Sequence, residues 1–90
     1  MSPLEPNPGE RILSVNCDEV ELHAKFADGR RLSVPLSWYP RLAQATSAER
    51  ANWEFSAAGF GIHWPELDED LSAEGLLRGA PAPGAGARSA

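Results

Sequence analysis

Ninety residues with 42% hydrophobic content support one domain, because a chain this short buries only about 60% of its unfolded surface and has no material for a second core. The net charge of -5 repels nucleic-acid phosphate and favours a basic partner, so direct nucleic-acid binding is not expected. The single cysteine, Cys17, excludes an internal disulfide and a cysteine-built metal site, and no apolar run approaches the ~20 residues of a membrane span. A cytoplasmic protein that meets no membrane and carries no cofactor is the simplest expectation.

Residues 1–9 and 79–90, rich in proline, glycine and alanine, have no periodic apolar face and are expected to be disordered tails around a domain spanning 10–78. From Arg11 the pattern alternates, predicting a first strand with Leu13, Val15 and Cys17 on one face. After a turn at Asp18-Glu19, a second strand presents Val20, Leu22, Ala24 and Phe26 inward. Ala27-Asp28-Gly29-Arg30 predicts a tight hairpin of type I′, since glycine and aspartate accept positive φ. A third strand carries Leu32, Val34 and Leu36, and Pro35, which has no amide hydrogen, puts it at a sheet edge or takes it out of the sheet at that point.

Ser37 is positioned to cap a helix with Pro40 in its first turn and Leu36, Tyr39 and Leu42 along one stripe, ending near Ala45. Thr46-Ser47-Ala48-Glu49 reads as a capping box opening a second short helix toward Trp53, the alternative being one kinked helix across both pieces. Trp53, Phe55 and Ala57, a glycine-rich turn over residues 58–61, and Ile62 with Trp64 form a second hairpin. An acidic segment follows, Pro65 to Glu74, pinned back by Leu67, Leu71, Leu76 and Leu77, with Asp70 or Ser72 capping a last turn. The predicted fold is α+β: a small single domain whose largely antiparallel sheet, a three-strand meander plus a hairpin, packs against one or two short helices.

Residue chemistry alone assigns no reaction. Asp68-x-Asp70-x-Ser72 begins like a calcium loop, but Ala73 stands where the loop needs glycine and Gly79 where it needs a bidentate glutamate, so no metal is expected. His23 and His63 have no serine or cysteine nearby in sequence, and a nucleophile–base pair would have to be made by folding; no catalytic residues are assigned and no enzyme is expected. Trp64, beside a proline and an acidic run, fits either the core or an interface anchor.

Residues Arg11 to Leu77 resemble the bacterial family known as domain of unknown function 2442. The carrying residues are Val20-Glu21-Leu22, Phe26-Ala27-Asp28-Gly29-Arg30, Pro35-Leu36-Ser37, Asn52-Trp53-Glu54-Phe55, and above all the run from Gly61 through Ile62-His63-Trp64-Pro65-Glu66-Leu67 to Asp68-Glu69-Asp70-Leu71-Ser72. The resemblance implies a small α+β protein and, since many members are encoded beside a second small protein in what look like toxin and antitoxin pairs, an antitoxin-like role. The expectation is an acidic module that binds and neutralises a small, basic partner protein through His63, Trp64, Glu66, Asp68, Glu69, Asp70 and Glu74. The alternatives are an acidic inhibitor filling the nucleic-acid groove of a larger machine, and a carboxylate-dependent metal enzyme.

Overall fold

The structure, a computed structural model, describes residues 7–79. The expected tails therefore fall largely outside the described residues, but their inner ends are part of the fold. A 3-10 turn at Pro8–Glu10 is capped by Asn7, and the Gly9 carbonyl accepts the Asp28 amide at 3.0 Å, so the chain is tied down before residue 10.

The meander forms as its alternation predicts: β1 (Ile12–Cys17), β2 (Glu21–Phe26) and β3 (Arg31–Pro35) pair antiparallel in the order β1-β2-β3. Two inward assignments fail for local reasons. Between Ile12, opposite Phe26, and Ser14, opposite Lys25, the register skips one residue; this bulge buries Ile12 and turns Leu13 out, 48% exposed. Val20 is 70% exposed because the Asp18 carboxylate accepts the amides of both Val20 and Glu21 at 2.7 Å, holding the turn outside the pleat until β2 begins at Glu21.

The β2–β3 turn is also not type I′, since of its residues only Gly29 takes positive φ, at 94°. The Gly29 amide bonds the Phe26 carbonyl at 3.0 Å and the Phe26 amide bonds Arg30 at 2.9 Å, the pattern of a type I turn closed by a glycine bulge. Asp28 serves through its side chain, which accepts the Arg30 amide at 3.0 Å. Pro35 does lie on an edge strand, β3.

The predicted first helix is split. Leu36–Trp38 makes a 3-10 turn with Ser37 inside it rather than capping, and α1 (Pro40–Ala43) then starts on Pro40 and stops short of Ala45. Its apolar stripe is as expected, with Leu36, Tyr39 and Leu42 all buried. The capping box opens α2 (Ser47–Ala51): the Thr46 hydroxyl accepts the Glu49 amide at 3.1 Å and the Glu49 carboxylate accepts the Thr46 amide at 2.9 Å.

The second hairpin, β4 (Glu54–Ser56) and β5 (Gly61–Trp64), gains a partner that the acidic composition concealed. Residues of the expected acidic segment form β6 (Glu69–Ser72), paired with β5 so that Leu71 faces Ile62 and Asp70 faces His63. The architecture of the described residues is thus two three-stranded antiparallel sheets with three short helices. Ser72 caps α3 (Ala73–Arg78), accepting the Gly75 amide at 2.9 Å.

One hydrophobic cluster draws on both sheets and the helical segments, joining Leu22, Phe26 and Val34 to Leu42, Ile62, Trp64 and Leu76. Its polar tie is Arg50, 6% exposed. The Arg50 guanidinium donates to the carbonyls of Leu42 and Ala45 at 3.1 and 2.9 Å, at and just past the end of α1, while its own carbonyl accepts the Trp64 indole N–H at 2.9 Å. Trp64 is therefore a core residue, with no exposed surface. Trp53 is only half-buried and meets Phe55 edge-on, with centroids 5.1 Å apart.

Candidate interaction surface

Charge is unevenly divided along this fold. Residues 7–51 hold six carboxylates and six cations, whereas 52–79 set Glu54, Glu66, Asp68, Glu69, Asp70 and Glu74 against one cation, Arg78. That excess of five equals the net charge of the whole protein, -5.

Strand register decides where these carboxylates stand. In β5, Ile62 and Trp64 face the core, so His63 faces out, flanked by Glu54 on β4 and Asp70 on β6 as one cross-strand row. Asp70 Oδ1 lies 2.9 Å from His63 Nδ1, an ion pair only when the imidazole is doubly protonated. At the end of the row the β5–β6 turn adds Glu66, whose Oε1 accepts from Asn52 Nδ2 at 3.0 Å, and Asp68, exposed at φ 50° with its carbonyl bound by the Arg41 guanidinium.

The other expected site residues are set apart from this row. Glu69 lies opposite Trp64 on the inward side of β6, partly buried; burial pushes the Tyr39 phenol up, and the Glu69 carboxylate adds to that shift. Glu74 is exposed on α3, 3.9 Å from Arg78 one turn on. Trp64 is buried and contributes support rather than contact. Of the seven expected residues, then, the fold brings His63, Glu66, Asp68 and Asp70 together with Glu54, which sequence reasoning missed. Its one signal was the alternation Trp53-Glu54-Phe55, which already turned it outward.

Folding also assembles a chain that sequence distance hid. On the outer face of the first sheet, His23 Nδ1 lies 2.6 Å from Ser33 Oγ and His23 Nε2 lies 2.8 Å from Asp18 Oδ2. This makes the serine–histidine contact that the sequence left to folding. The His23 hydrogen bond, ahead of the Glu21 and Val20 amides, holds the Asp18 carboxyl down at about 2. Asp18, Glu21 and His23 have ligand-type atoms within 4.8 Å of one another, but both Asp18 oxygens and both His23 nitrogens are already engaged within the protein. A cation there would have to displace them. The arrangement acts as a latch tying the β1–β2 turn to β3, in a shallow groove of about 360 Å³ that Lys25 and Arg31 also line. Burial pushes the half-buried Cys17 thiol up, away from the reactive thiolate. Among the described residues no helix is long and apolar enough to cross a membrane.

The family described as protein of unknown function (DUF2442) matches residues 12–82. No curated protein matches the chain significantly. Among solved structures, the chain is similar to a protein of unknown function from Rhodospirillum rubrum ATCC 11170, with 26% identity and a TM-score of 0.71 over 83% of this chain and 93% of that one. It is also similar to the uncharacterized protein CV0863 from Chromobacterium violaceum, with 25% identity and a TM-score of 0.70 over 88% of this chain and 74% of that one.

Proposed function

The chain belongs to the family of proteins of unknown function DUF2442, and from that premise we propose that it is a cytoplasmic protein-interaction module whose acidic second sheet docks a small basic protein. The observation that carries this reading is the confinement of the whole charge excess to residues 52–79, with Glu54, Glu66, Asp68 and Asp70 at the outer face and tip of β4-β5-β6. Carboxylates gathered in this way steer a basic partner during approach and set its orientation. The antitoxin-like role implied by the family resemblance is the form this function takes: the acidic face covers a basic surface that the partner needs for its own activity.

The partner to test is the product of the neighbouring small reading frame. Glu54→Gln, Glu66→Gln and Asp70→Asn together keep side-chain volume and remove charge, so association should slow several-fold at low salt and lose most of its salt dependence, with folding unchanged. Association that is indifferent to these changes would remove the electrostatic basis of the proposal.

A further inference from the structure

Three side chains form one hydrogen-bonded chain on the outer face of the first sheet: Asp18 from the β1–β2 turn, His23 on β2 and Ser33 on β3, the last two directly opposite each other across the strands. The Asp18 carboxyl, held down at about 2, is ionised at neutral pH and can only accept, so it fixes a proton on His23 Nε2. Its other oxygen is anchored by the Val20 and Glu21 amides, which keeps the carboxylate from swinging away. While the imidazole is neutral, Nδ1 is therefore a lone pair, and the 2.6 Å contact is the Ser33 hydroxyl donating to it. A hydroxyl bonded to a base whose second nitrogen is held by a carboxylate is the order that activates a serine, and the role of each ring nitrogen is set by its partner. The next row on this face sets Lys25 opposite Arg31, with Ser14 on the other side of Lys25. Like charges placed directly across two strands cost stability, and neither cation takes part in an ion pair among the described residues. Both line the groove of about 360 Å³ together with His23 and Ser33, so the uncompensated positive charge stands beside the hydroxyl.

We propose that this face is an esterase site in which Ser33 is the nucleophile, His23 the general base, Asp18 the positioning residue, and Lys25 with Arg31 the groups that stabilise the oxyanion. Small carboxylic esters with a good leaving group are the substrate class, because a shallow groove on a sheet face supplies a nucleophile and charge but little enclosure. Ser33 Oγ adds to the ester carbonyl carbon as its proton passes to His23 Nδ1, and the carbonyl oxygen becomes an oxyanion beside the two cations. Collapse breaks the bond to the alkoxy oxygen, which leaves as the alcohol with the proton from Nδ1, and Ser33 is left acylated. Water then adds to the acyl carbon and gives a proton to Nδ1. The carboxylic acid departs as the bond to Oγ breaks, and Oγ recovers the proton from Nδ1. The acidic row Glu54–His63–Asp70 lies on the other sheet, and this activity is independent of the docking proposed above.

Two probes on the full chain test the inference: hydrolysis of p-nitrophenyl acetate, and labelling by a fluorophosphonate, whose phosphorus exchanges fluoride for a serine oxygen. The parent should turn the ester over, and fragmentation mass spectrometry should place the label on Ser33. Ser33→Ala should keep the parent's circular dichroism, since Ser33 is exposed and its side chain bonds only His23 among the described residues, and should lower turnover by at least about tenfold. His23→Gln should lose as much, and Lys25→Gln with Arg31→Gln several-fold. Asp18→Asn should lower kcat and leave KM unchanged, with Asp18→Glu restoring part of the loss, a split that a purely structural role does not produce. A parent no more active than Ser33→Ala overturns the proposal, because any turnover is then the work of the imidazole alone, and so does a label that is absent from Ser33.

Discussion

At the scale of single residues, Asp18 and Arg50 show how exposure sets the worth of a polar contact. Asp18 is exposed and its carboxyl sits near 2, below the ordinary 3.8, because His23 and two backbone amides stabilise the anion. A folded-state value below the unfolded one means that the contribution is present above about pH 4 and is lost as pH falls through about 2. Asp18→Asn should therefore flatten the stability profile between those limits in acid titrations followed by circular dichroism, with its full loss of stability seen at neutral pH and the difference from the parent vanishing below about pH 2. Arg50 is the opposite case. Its contact with Glu19, at 3.6 Å, involves a carboxylate that is 83% exposed and contributes little, whereas the buried guanidinium spends its other bonds on the backbone, on the Ala45 carbonyl and on the Leu42 carbonyl, which also accepts the Ala45 amide. Arg50→Met should cost about 1–3 kcal/mol in urea unfolding, and Glu19→Gln under about 0.5 kcal/mol.

At the scale of elements, turn chemistry governs the strands it joins. Gly29 keeps its importance although the turn is not the type its sequence suggested, because the glycine bulge needs φ 94° there and nowhere else in the turn. Nothing lies within 4 Å of a Cβ built at Gly29, so the expected cost of Gly29→Val is conformational alone, about 1–2 kcal/mol, read as a lowered thermal midpoint. The capping box of α2 works in the same local way. Thr46→Ala should lose about 1 kcal/mol by freeing the Glu49 amide, and Thr46→Ser should restore most of it.

At the scale of the molecule, Trp64 joins the two sheets, filling the common cluster from β5 while its indole N–H ends on the Arg50 carbonyl of α2. Trp64→Ala should cost about 3–5 kcal/mol through lost burial and an unfilled cavity, a large part of the stability of a domain this small. Because one core serves both sheets, their unfolding should coincide: tryptophan fluorescence and the amide signals of β2 should report one midpoint in the parent and one lower midpoint in the variant.

The chain's own periodicities determined the meander, the capping box, the second hairpin and the α+β class, since each depends on contacts between residues close in sequence. The family match was legible in the same way, in the run from Gly61 to Ser72. Tertiary structure decided what local pattern could not. β6 is composed of residues poor in strand propensity, Glu69-Asp70-Leu71-Ser72, and is a strand because β5 offers a ladder in which Leu71 meets Ile62. Leu13 is outside and Ile12 inside because a bulge shifted one register position, a change of face that alternation alone does not reveal. The surface residues divide likewise. The acidity of Glu66, Asp68 and Asp70 was plain from composition, but their alignment with Glu54 and His63, and the burial of Trp64, followed only from pairing three strands and packing them on a shared core.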